Sequence, residues 1–286
     1  MYRVLIIFSF LLFVLSGCGS EGSQSPGDTA PSTNQKPDMT IPAYIHGQIG
    51  LGVGEGAVIN LRSLLGPEEE RAKVLASARS DAHGMFTLEV KRQFLHQPVL
   101  VEVDFTQADQ NCIAVQGCGE SIDFGSVVDQ PEAILLQTAI ASLSADMNYS
   151  VGIQSTFAAQ AALAELSGLN LDQDNGVADI TTKFIVSKAN SQVASRLGAI
   201  GDLPTATILP ITDILVVASS QPAELFSTFL ESALVSSCAE LTHNDAYWLN
   251  ACADQYVNMG VPGRSAYGDQ EISMLQILDN LLKVYQ

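Results

Sequence analysis

Basic residues are scarce in this chain, and their scarcity excludes one large class of partner. Lysine and arginine together number 13 against 31 aspartates and glutamates, so the formal net charge is −18 at pH 7. Because nucleic acids are held by clustered lysines and arginines on phosphates, we expect no nucleic-acid partner. We assign the acidity to solubility. Beyond Phe94 the basic residues are only Lys183, Lys188, Arg196, Arg264 and Lys283.

The common signatures of hydrolases, metallopeptidases and nucleotide-binding enzymes are also missing. No serine lies in a G-x-S-x-G motif, which marks the nucleophile of many hydrolases. The glycines between residues 50 and 56 precede a predicted strand, whereas a phosphate-binding loop precedes a helix. We therefore predict a protein that is not an enzyme and binds no cofactor. Surface positions are predicted for the four scattered histidines, His46, His83, His96 and His243.

A long apolar run is absent from the amino terminus, although a short one is present. Arg3 is followed by an apolar run over residues 4–15, which is shorter than the roughly twenty residues that a membrane-spanning helix needs. This layout is typical of an export signal, here residues 1–17. The junction Leu15-Ser16-Gly17-Cys18 resembles the bacterial lipoprotein cleavage box. The resemblance implies that Cys18 becomes the lipid-carrying first residue of the mature protein.

The residues that follow Cys18 predict a tether and a destination. Residues 19–40 are rich in Ser, Gly, Pro, Thr, Asn and Gln and nearly devoid of apolar side chains, so they cannot offset the entropy of ordering. We predict that residues 18–40 form a lipidated, disordered tether with an end-to-end distance of roughly 25 Å. Gly19, rather than Asp, follows the cysteine, and in the lipoprotein family this implies delivery to the outer membrane.

Cysteine usage agrees with an exported protein. If Cys18 carries lipid, four cysteines remain, and an even number in an exported chain indicates disulfides. Three pairings are possible, and we favour the two with the shortest loops because these close most easily. The favoured pairs are Cys112 with Cys118 and Cys238 with Cys252.

Residues 41–106 have the pattern of a small antiparallel β-sandwich. Short stretches in which apolar and polar residues alternate are separated by glycine- and proline-containing turns, as in many sandwiches. Met85, Thr87 and Glu89, for example, alternate with Phe86, Leu88 and Val90. The predicted strands cover residues 44–49, 57–63, 73–80, 85–91 and 98–105.

Three motifs in this region resemble a known family. They are Ile45-His46-Gly47-Gln48-Ile49, Gly56-Ala57-Val58-Ile59-Asn60-Leu61 and Ser80-Asp81-Ala82-His83-Gly84-Met85-Phe86. Together they resemble the carboxypeptidase regulatory-like, or transthyretin-like, β-sandwich, a non-catalytic accessory domain of secreted proteins. In the last motif Asp81 can cap a turn, Gly84 can adopt a positive φ, and Phe86 re-enters the core.

Beyond residue 128 the composition shifts to Ala, Leu, Ser and Gln, and the apolar period becomes helical. We predict a disulfide-containing connector over residues 107–128 and an α-helical domain over residues 129–286. One predicted helix places Ile180, Phe184, Ala189, Val193 and Leu197 on a buried stripe. Residues 180–210 resemble the helical region that follows such sandwiches in uncharacterised proteobacterial lipoproteins. The predicted helices cover residues 130–146, 154–166, 180–197, 211–219, 222–238, 244–259 and 269–285.

Two short segments of the helical region carry candidate binding chemistry. Asp172, Asp174 and Asp179 lie in one loop and could supply oxygen ligands to Ca²⁺, but the spacing departs from that of an EF-hand. We favour a polar loop in which Asp179 caps the next helix. Tyr247 and Trp248 could form an aromatic platform for a sugar or peptide, although we favour packing of this pair around the nearby disulfide.

The sequence therefore predicts an α+β protein of several domains, an antiparallel β-sandwich followed by an α-helical domain. We expect an envelope lipoprotein, held to the outer membrane by its lipid and facing the periplasm or the surface. Its predicted role is non-catalytic binding, adhesion or assembly with a protein or polysaccharide of the envelope, and this rests on analogy. The alternative is an enzyme, or an enzyme accessory subunit, with a site in the helical domain.

Overall fold

The fold is taken from a computed structural model of the chain. None of the described helices combines the length and the apolar character that crossing a bilayer requires. The structure describes residues 41–50, 52, 55–104, 108, 110–112, 123, 125–128, 135–169, 176–199, 201–208 and 222–242.

Strands dominate the first half of the described chain and helices the second, so the fold is mixed α+β, as predicted. Two short 3₁₀ turns, Arg92–Phe94 and Leu203–Thr205, connect longer elements. The strands are β1 (Pro42–Ile49), β2 (Val58–Ser63), β3 (Val74–Arg79), β4 (Met85–Lys91), β5 (Val99–Asp104), β6 (Gln110–Asn111), β7 (Val127–Val128), β8 (Leu135–Ile140) and β9 (Asn148–Val151). The helices are α1 (Glu68–Arg71), α2 (Ile153–Ser167), α3 (Gly176–Leu197) and α4 (Pro222–Thr242).

The longer strands form two sheets. Sheet A has three strands in the order β4-β1-β9, in which β1 pairs antiparallel with β4 and parallel with β9. Sheet B has four antiparallel strands in the order β3-β2-β5-β8. Strands β6 and β7 pair only with each other within the described residues. All five strands that the alternation predicted between residues 44 and 105 are confirmed.

The turn before β4 is stabilised by residues that the sequence analysis selected. The Asp81 carboxylate accepts the backbone N–H of His83 at 2.8 Å and that of Met85 at 2.9 Å. Gly84 has a φ of +69°, a conformation that glycine adopts without steric cost. Phe86 then turns into the core and is 4% exposed. The predicted roles of Asp81, Gly84 and Phe86 are confirmed.

The core consists of two clusters that share sheet B and helix α2. In the main cluster, side chains of sheet A such as Ile45 and Leu88 join side chains of sheet B such as Leu61 and Val101. The second cluster joins the other face of sheet B to helices α2 and α3. Its members include Leu100, Ala139, Ala159, Ala162, Ile185 and Val186. Because apolar burial is the main stabilising contribution to folding, these clusters hold strands and helices in one body.

The helix predicted over residues 130–146 is wrong. Residues Leu135–Ile140 form strand β8, and five of its six residues are buried. A strand that is covered on both faces has a continuous run of apolar residues and lacks the alternation of a half-exposed strand. For this reason the sequence pattern did not indicate a strand here. Strands β8 and β9 complete the two sheets begun before residue 105, and the described residues lie in one compact unit. Residues 129–286, predicted as an α-helical domain, thus contribute two strands to the sheets.

Helix α3 begins at Gly176, four residues before its predicted start, and it buries only part of the predicted stripe. Ile180 is 68% exposed and Phe184 is 65% exposed, so the predicted stripe is wrong at these two positions. Ala189, Val193 and Leu197 are buried as predicted, together with the polar residues Thr182 and Asn190. The helices predicted over residues 154–166 and 222–238 are confirmed as α2 and α4. Those predicted over residues 211–219, 244–259 and 269–285 lie outside the described residues.

Candidate functional site

Most of the residues that the sequence singled out lie outside the described part of the chain. This applies to Cys18 and the tether as well as to the aromatic pair. The two favoured disulfides stay predictions, because one cysteine of each pair is outside the described residues. Cys112 is fully buried beside β6, and Cys238 lies on α4. The residues concerned are Cys18, Cys118, Asp172, Asp174, Tyr247, Trp248 and Cys252.

Asp179 is described, and its role differs from the predicted cap. It lies in the first turn of α3, and its Oδ2 atom accepts a hydrogen bond from Lys183 Nζ at 2.7 Å. The carboxylate therefore stabilises the helix through an ion pair one turn further on and through the helix dipole. Within the described ranges, no three side chains of the metal-binding types gather into a group. Calcium binding by the aspartate loop stays an untested alternative, because Asp172 and Asp174 lie outside the described residues.

Three of the four histidines are described, and all three are exposed, as predicted. His96 has a φ of +64° at a turn, and the backbone N–H of His83 is bound by Asp81. His46 lies on β1, where its Nδ1 atom is 3.0 Å from Thr87 Oγ1 on β4. It is the only one of the three that joins a wider group of exposed side chains.

That group is the outer face of sheet A, here called the open face. The strand register places Tyr44 opposite Glu89, and His46 between Thr87 and Asn148. Tyr44 is 50% exposed, so its ring offers both a flat apolar surface and a hydroxyl group. The open face thus combines an aromatic ring, hydroxyl, amide and imidazole groups on a rigid array of strands. It comprises the exposed residues Tyr44, His46, Met85, Thr87, Glu89 and Asn148.

One end of the open face is closed by the chain itself. Gln48 Nε2 donates a hydrogen bond to Ser150 Oγ at 3.3 Å. Ser150 is only 3% exposed, and its hydroxyl donates to the carbonyl oxygen of Ala206. The segment around Ala206 therefore covers the Gln48 end of sheet A, so a partner would meet the region from Tyr44 to His46.

A second group, which the sequence did not indicate, surrounds the carboxyl group of Glu231 on α4. Glu231 is fully buried. Its Oε1 atom accepts the backbone N–H of Ile153, and its Oε2 atom accepts the backbone N–H of Gln154 at 3.4 Å. Gln154 Nε2 is also 3.3 Å from Oε2. Because Gly152 at the N-cap position of α2 has no side chain, Glu231 supplies from another helix the acceptor that an N-cap residue normally provides.

The carboxyl group of Glu231 is electrostatically unusual. Burial raises the pKa of Glu231 from 4.5 to about 7, and the hydrogen bonds from Ile153 and Gln154 lower it by less. A carboxylic acid away from water is easier to keep neutral than charged. Glutamate in a helix is normally exposed, so composition gave no reason to select Glu231. One feature of the sequence pointed to such a residue. Gly152 stands at the start of a predicted helix and has no side chain to cap it, so another residue has to supply the acceptor.

Neither group can be assigned by similarity. No protein-family model matches the chain. No curated protein matches it. Function therefore has to be inferred from the chemistry of the two groups, of which the open face is accessible and the Glu231 carboxyl is not.

Proposed function

We propose that this chain is an envelope lipoprotein, anchored by lipid on Cys18, that binds a protein or polysaccharide through the open face of sheet A. The export-like run and the Leu15-Ser16-Gly17-Cys18 junction support the anchor. The three motifs between residues 45 and 86 support a carboxypeptidase regulatory-like sandwich built from the two sheets. Because Gly19 rather than Asp follows the cysteine, we also propose that the protein is delivered to the outer membrane. There it would face the periplasm or the cell surface.

The observation that carries the binding proposal is the chemical character of the open face. Tyr44 provides a half-exposed ring, and aromatic rings supply much of the contact energy at binding surfaces. His46, Thr87 and Asn148 provide hydrogen-bonding groups in one cross-strand row. Because these groups stand on paired strands, their spacing is fixed before a partner binds, and less entropy is lost on binding.

The anchor is tested by replacing the cysteine. In Cys18→Ser, we expect an unacylated protein that is released from membranes. Mass spectrometry of the mature amino terminus and membrane fractionation measure the two effects. Ser20→Ala serves as the control, because it changes a residue beside the junction without removing the proposed lipidation site. If the unmodified chain carries no fatty acid, or if Cys18→Ser stays membrane-bound, the anchor proposal is wrong.

Binding is tested by photo-crosslinking in intact cells. We expect benzoylphenylalanine at position 44 to form a discrete crosslinked product that is missing when it stands at position 184. Phe184 is the matched control because it is another exposed aromatic residue, 65% exposed on α3. Co-sedimentation with purified peptidoglycan tests for a polysaccharide, and Tyr44→Ala should weaken it more than Phe184→Ala. If position 44 gives no specific product and Tyr44→Ala leaves sedimentation unchanged, the open face is not the binding surface.

Glu231 is the observation that would favour the alternative, an enzyme with a site in the helical part of the chain. A carboxyl group whose pKa is near 7 has the acidity that general acid–base catalysis uses. Its oxygens, however, are bonded to the start of α2 and have no exposed surface. In this conformation it cannot contact a substrate, so we place binding at the open face.

A further inference from the structure

Helix α4 is attached to the start of α2 by hydrogen bonds that converge on Gln154. Glu231 accepts from the backbone and side chain of Gln154, and Gln154 Nε2 also donates to the carbonyl oxygen of Ser227 at 3.0 Å. On the same helix, Leu230, Ala233 and Leu234 lie in the main core. The packing of α4 against the rest of the fold therefore buries the carboxyl group of Glu231 together with the apolar face of the helix.

The carboxyl group of Glu231 has room because the two residues beside it, Gly50 and Gly152, have no side chains. A Cβ atom on Gly50 would lie 3.0 Å from Glu231 Oε1, and one on Gly152 would lie 2.9 Å from Glu231 Cδ. Contacts this short oblige a neighbour to move, so larger residues at either position would exclude the carboxyl group from its place. The ends of β1 and β9 and the start of α2 thus form a space shaped for Glu231.

The described surroundings of Glu231 contain no charge that balances it. The residues in contact are Gly50, Gly152, Ile153 and Gln154, together with Ser227 through Gln154. The titratable residues on the described elements that pack here are Tyr44 and His46 on β1, Tyr149 on β9, Glu165 at the far end of α2, Asp202 before the Ala206 segment, and Glu224 and Glu240 on α4. None of these shifts the pKa of Glu231, whose causes are burial and hydrogen bonds. The charged carboxylate is held by neutral donors alone among the described residues.

We propose that Glu231 is a proton-controlled latch, which holds helix α4 against the start of α2 more firmly when the carboxyl group is protonated than when it is charged. The latch is a property of the fold beyond the binding role of the open face. It uses the one described carboxyl group that is fully buried between two helices. An envelope protein is exposed to the pH of its surroundings, so a contact of this kind responds to that pH.

The direction and size of the response follow from linkage. The pKa of Glu231 is about 7 when α4 is docked, and it returns towards 4.5 when undocking exposes the carboxyl group to water. A group with a raised pKa takes up protons preferentially in the docked state, so docking strengthens as the pH falls through 7. Between pH 8 and pH 6 the docking equilibrium constant should increase roughly tenfold.

Hydrogen exchange of α4 in the full-length chain, purified in detergent, tests this latch. We expect the protection factors of amides in α4, corrected for the intrinsic effect of pH, to be about tenfold higher at pH 6 than at pH 8. In Glu231→Gln this difference should disappear. In Glu224→Gln, which removes a part-exposed carboxylate from the first turn of the same helix, it should persist. Equal protection at both pH values in the unmodified chain, or a pH effect that survives in Glu231→Gln, would overturn the proposal.

A measurement on the unmodified chain keeps the test decisive if Glu231→Gln does not fold. Carbon-13 labelling of glutamate carboxyl groups allows each to be titrated by NMR. We expect one glutamate signal with a midpoint near 7, in agreement with the pKa of Glu231. If every glutamate titrates near 4.5, the latch is refuted, whatever the behaviour of the variant.

Discussion

Thr156 of helix α2 closes the outer edge of sheet B by bonding to Gln137 of strand β8. The backbone N–H of Gln137 donates to Thr156 Oγ1 at 2.9 Å, and the carbonyl oxygen of Gln137 accepts from Ser155 Oγ at 2.9 Å. Two residues along β8, the carbonyl oxygen of Ala139 accepts from Asn190 Nδ2 of α3 at 3.1 Å. Edge strands expose backbone groups that can pair with other chains, and here helix side chains bind those of Gln137 and the carbonyl oxygen of Ala139.

Thr156→Val should destabilise the protein by about 1–3 kcal/mol, because it keeps the shape of the side chain but leaves a buried N–H of Gln137 without an acceptor. Urea denaturation followed by circular dichroism measures the loss. Ser167→Ala is the control, since the Ser167 hydroxyl is exposed and bonds only locally to Ala164 in the described contacts. Its effect should stay within about 0.5 kcal/mol. Equal stability of Thr156→Val and the unmodified protein would contradict this account of the edge.

Gly47→Ala should destabilise the protein by about 1–3 kcal/mol through overpacking. A Cβ atom at this position would overlap the ring of Phe86 and lie 2.6 Å from the carbonyl oxygen of Tyr149. The matched control is Gly176→Ala, where nothing lies within 4 Å of the added atom, and where alanine favours the helix. Thermal unfolding should show a lower Tm for Gly47→Ala alone; similar Tm values for the two variants would show that sheet A adapts to the extra methyl group.

The contribution of Glu231 to the stability of the fold should fall as the pH rises from about 4.5 to 7. The folded state raises the pKa of Glu231, so it binds more protons than the unfolded chain in this range. This contribution is complete below pH 4.5 and lost above pH 7. It should amount to about 3 kcal/mol. The measurement is the difference between the unmodified protein and Glu231→Gln in urea at several pH values. A difference that does not change across the range would contradict the prediction.

Removal of divalent cations should leave the melting temperature unchanged. Asp179, one of the three candidate calcium ligands, is bound to Lys183, and a calcium ion would have to replace that partner. The check is differential scanning calorimetry with EDTA and with added Ca²⁺. A rise in Tm with Ca²⁺ that Asp179→Asn abolishes would instead establish the aspartate loop as a calcium site.

The strands of residues 42–104 could be predicted from the sequence because they are short and bounded by turn residues. Apolar and polar residues also alternate along several of them, as in β4, where every second residue is buried. Strand β8 could not, because sheet A and helix α2 cover its two faces and remove the alternation. On α3, the exposed Ile180 and Phe184 and the buried Asn190 reverse the usual preferences. Asn190 is buried because it binds the edge of β8, a partner 51 residues away that no local pattern reveals.

The candidate sites were harder to predict because they also depend on contacts between residues that are distant in the sequence. The open face follows from the alternation of β1 and β4, so its side chains could be assigned from the sequence, but the row with Asn148 depends on the parallel pairing of β1 with β9. Glu231 depends on a contact with Gln154 that is 77 residues distant. Local sequence patterns do not encode contacts of this range.

The parallel pairing of β1 with β9 also fixes the order in which the molecule can be assembled. Gln48 and Ser150 are 102 residues apart in the chain, and a contact order of this kind slows folding because a long loop must close first. As the polypeptide emerges from the ribosome, one side of β1 stays unpaired until Val151 has been made. The nascent chain therefore exposes an unpaired strand edge while about a hundred further residues are added. A chaperone that covers β1 during this interval would raise the yield of native protein.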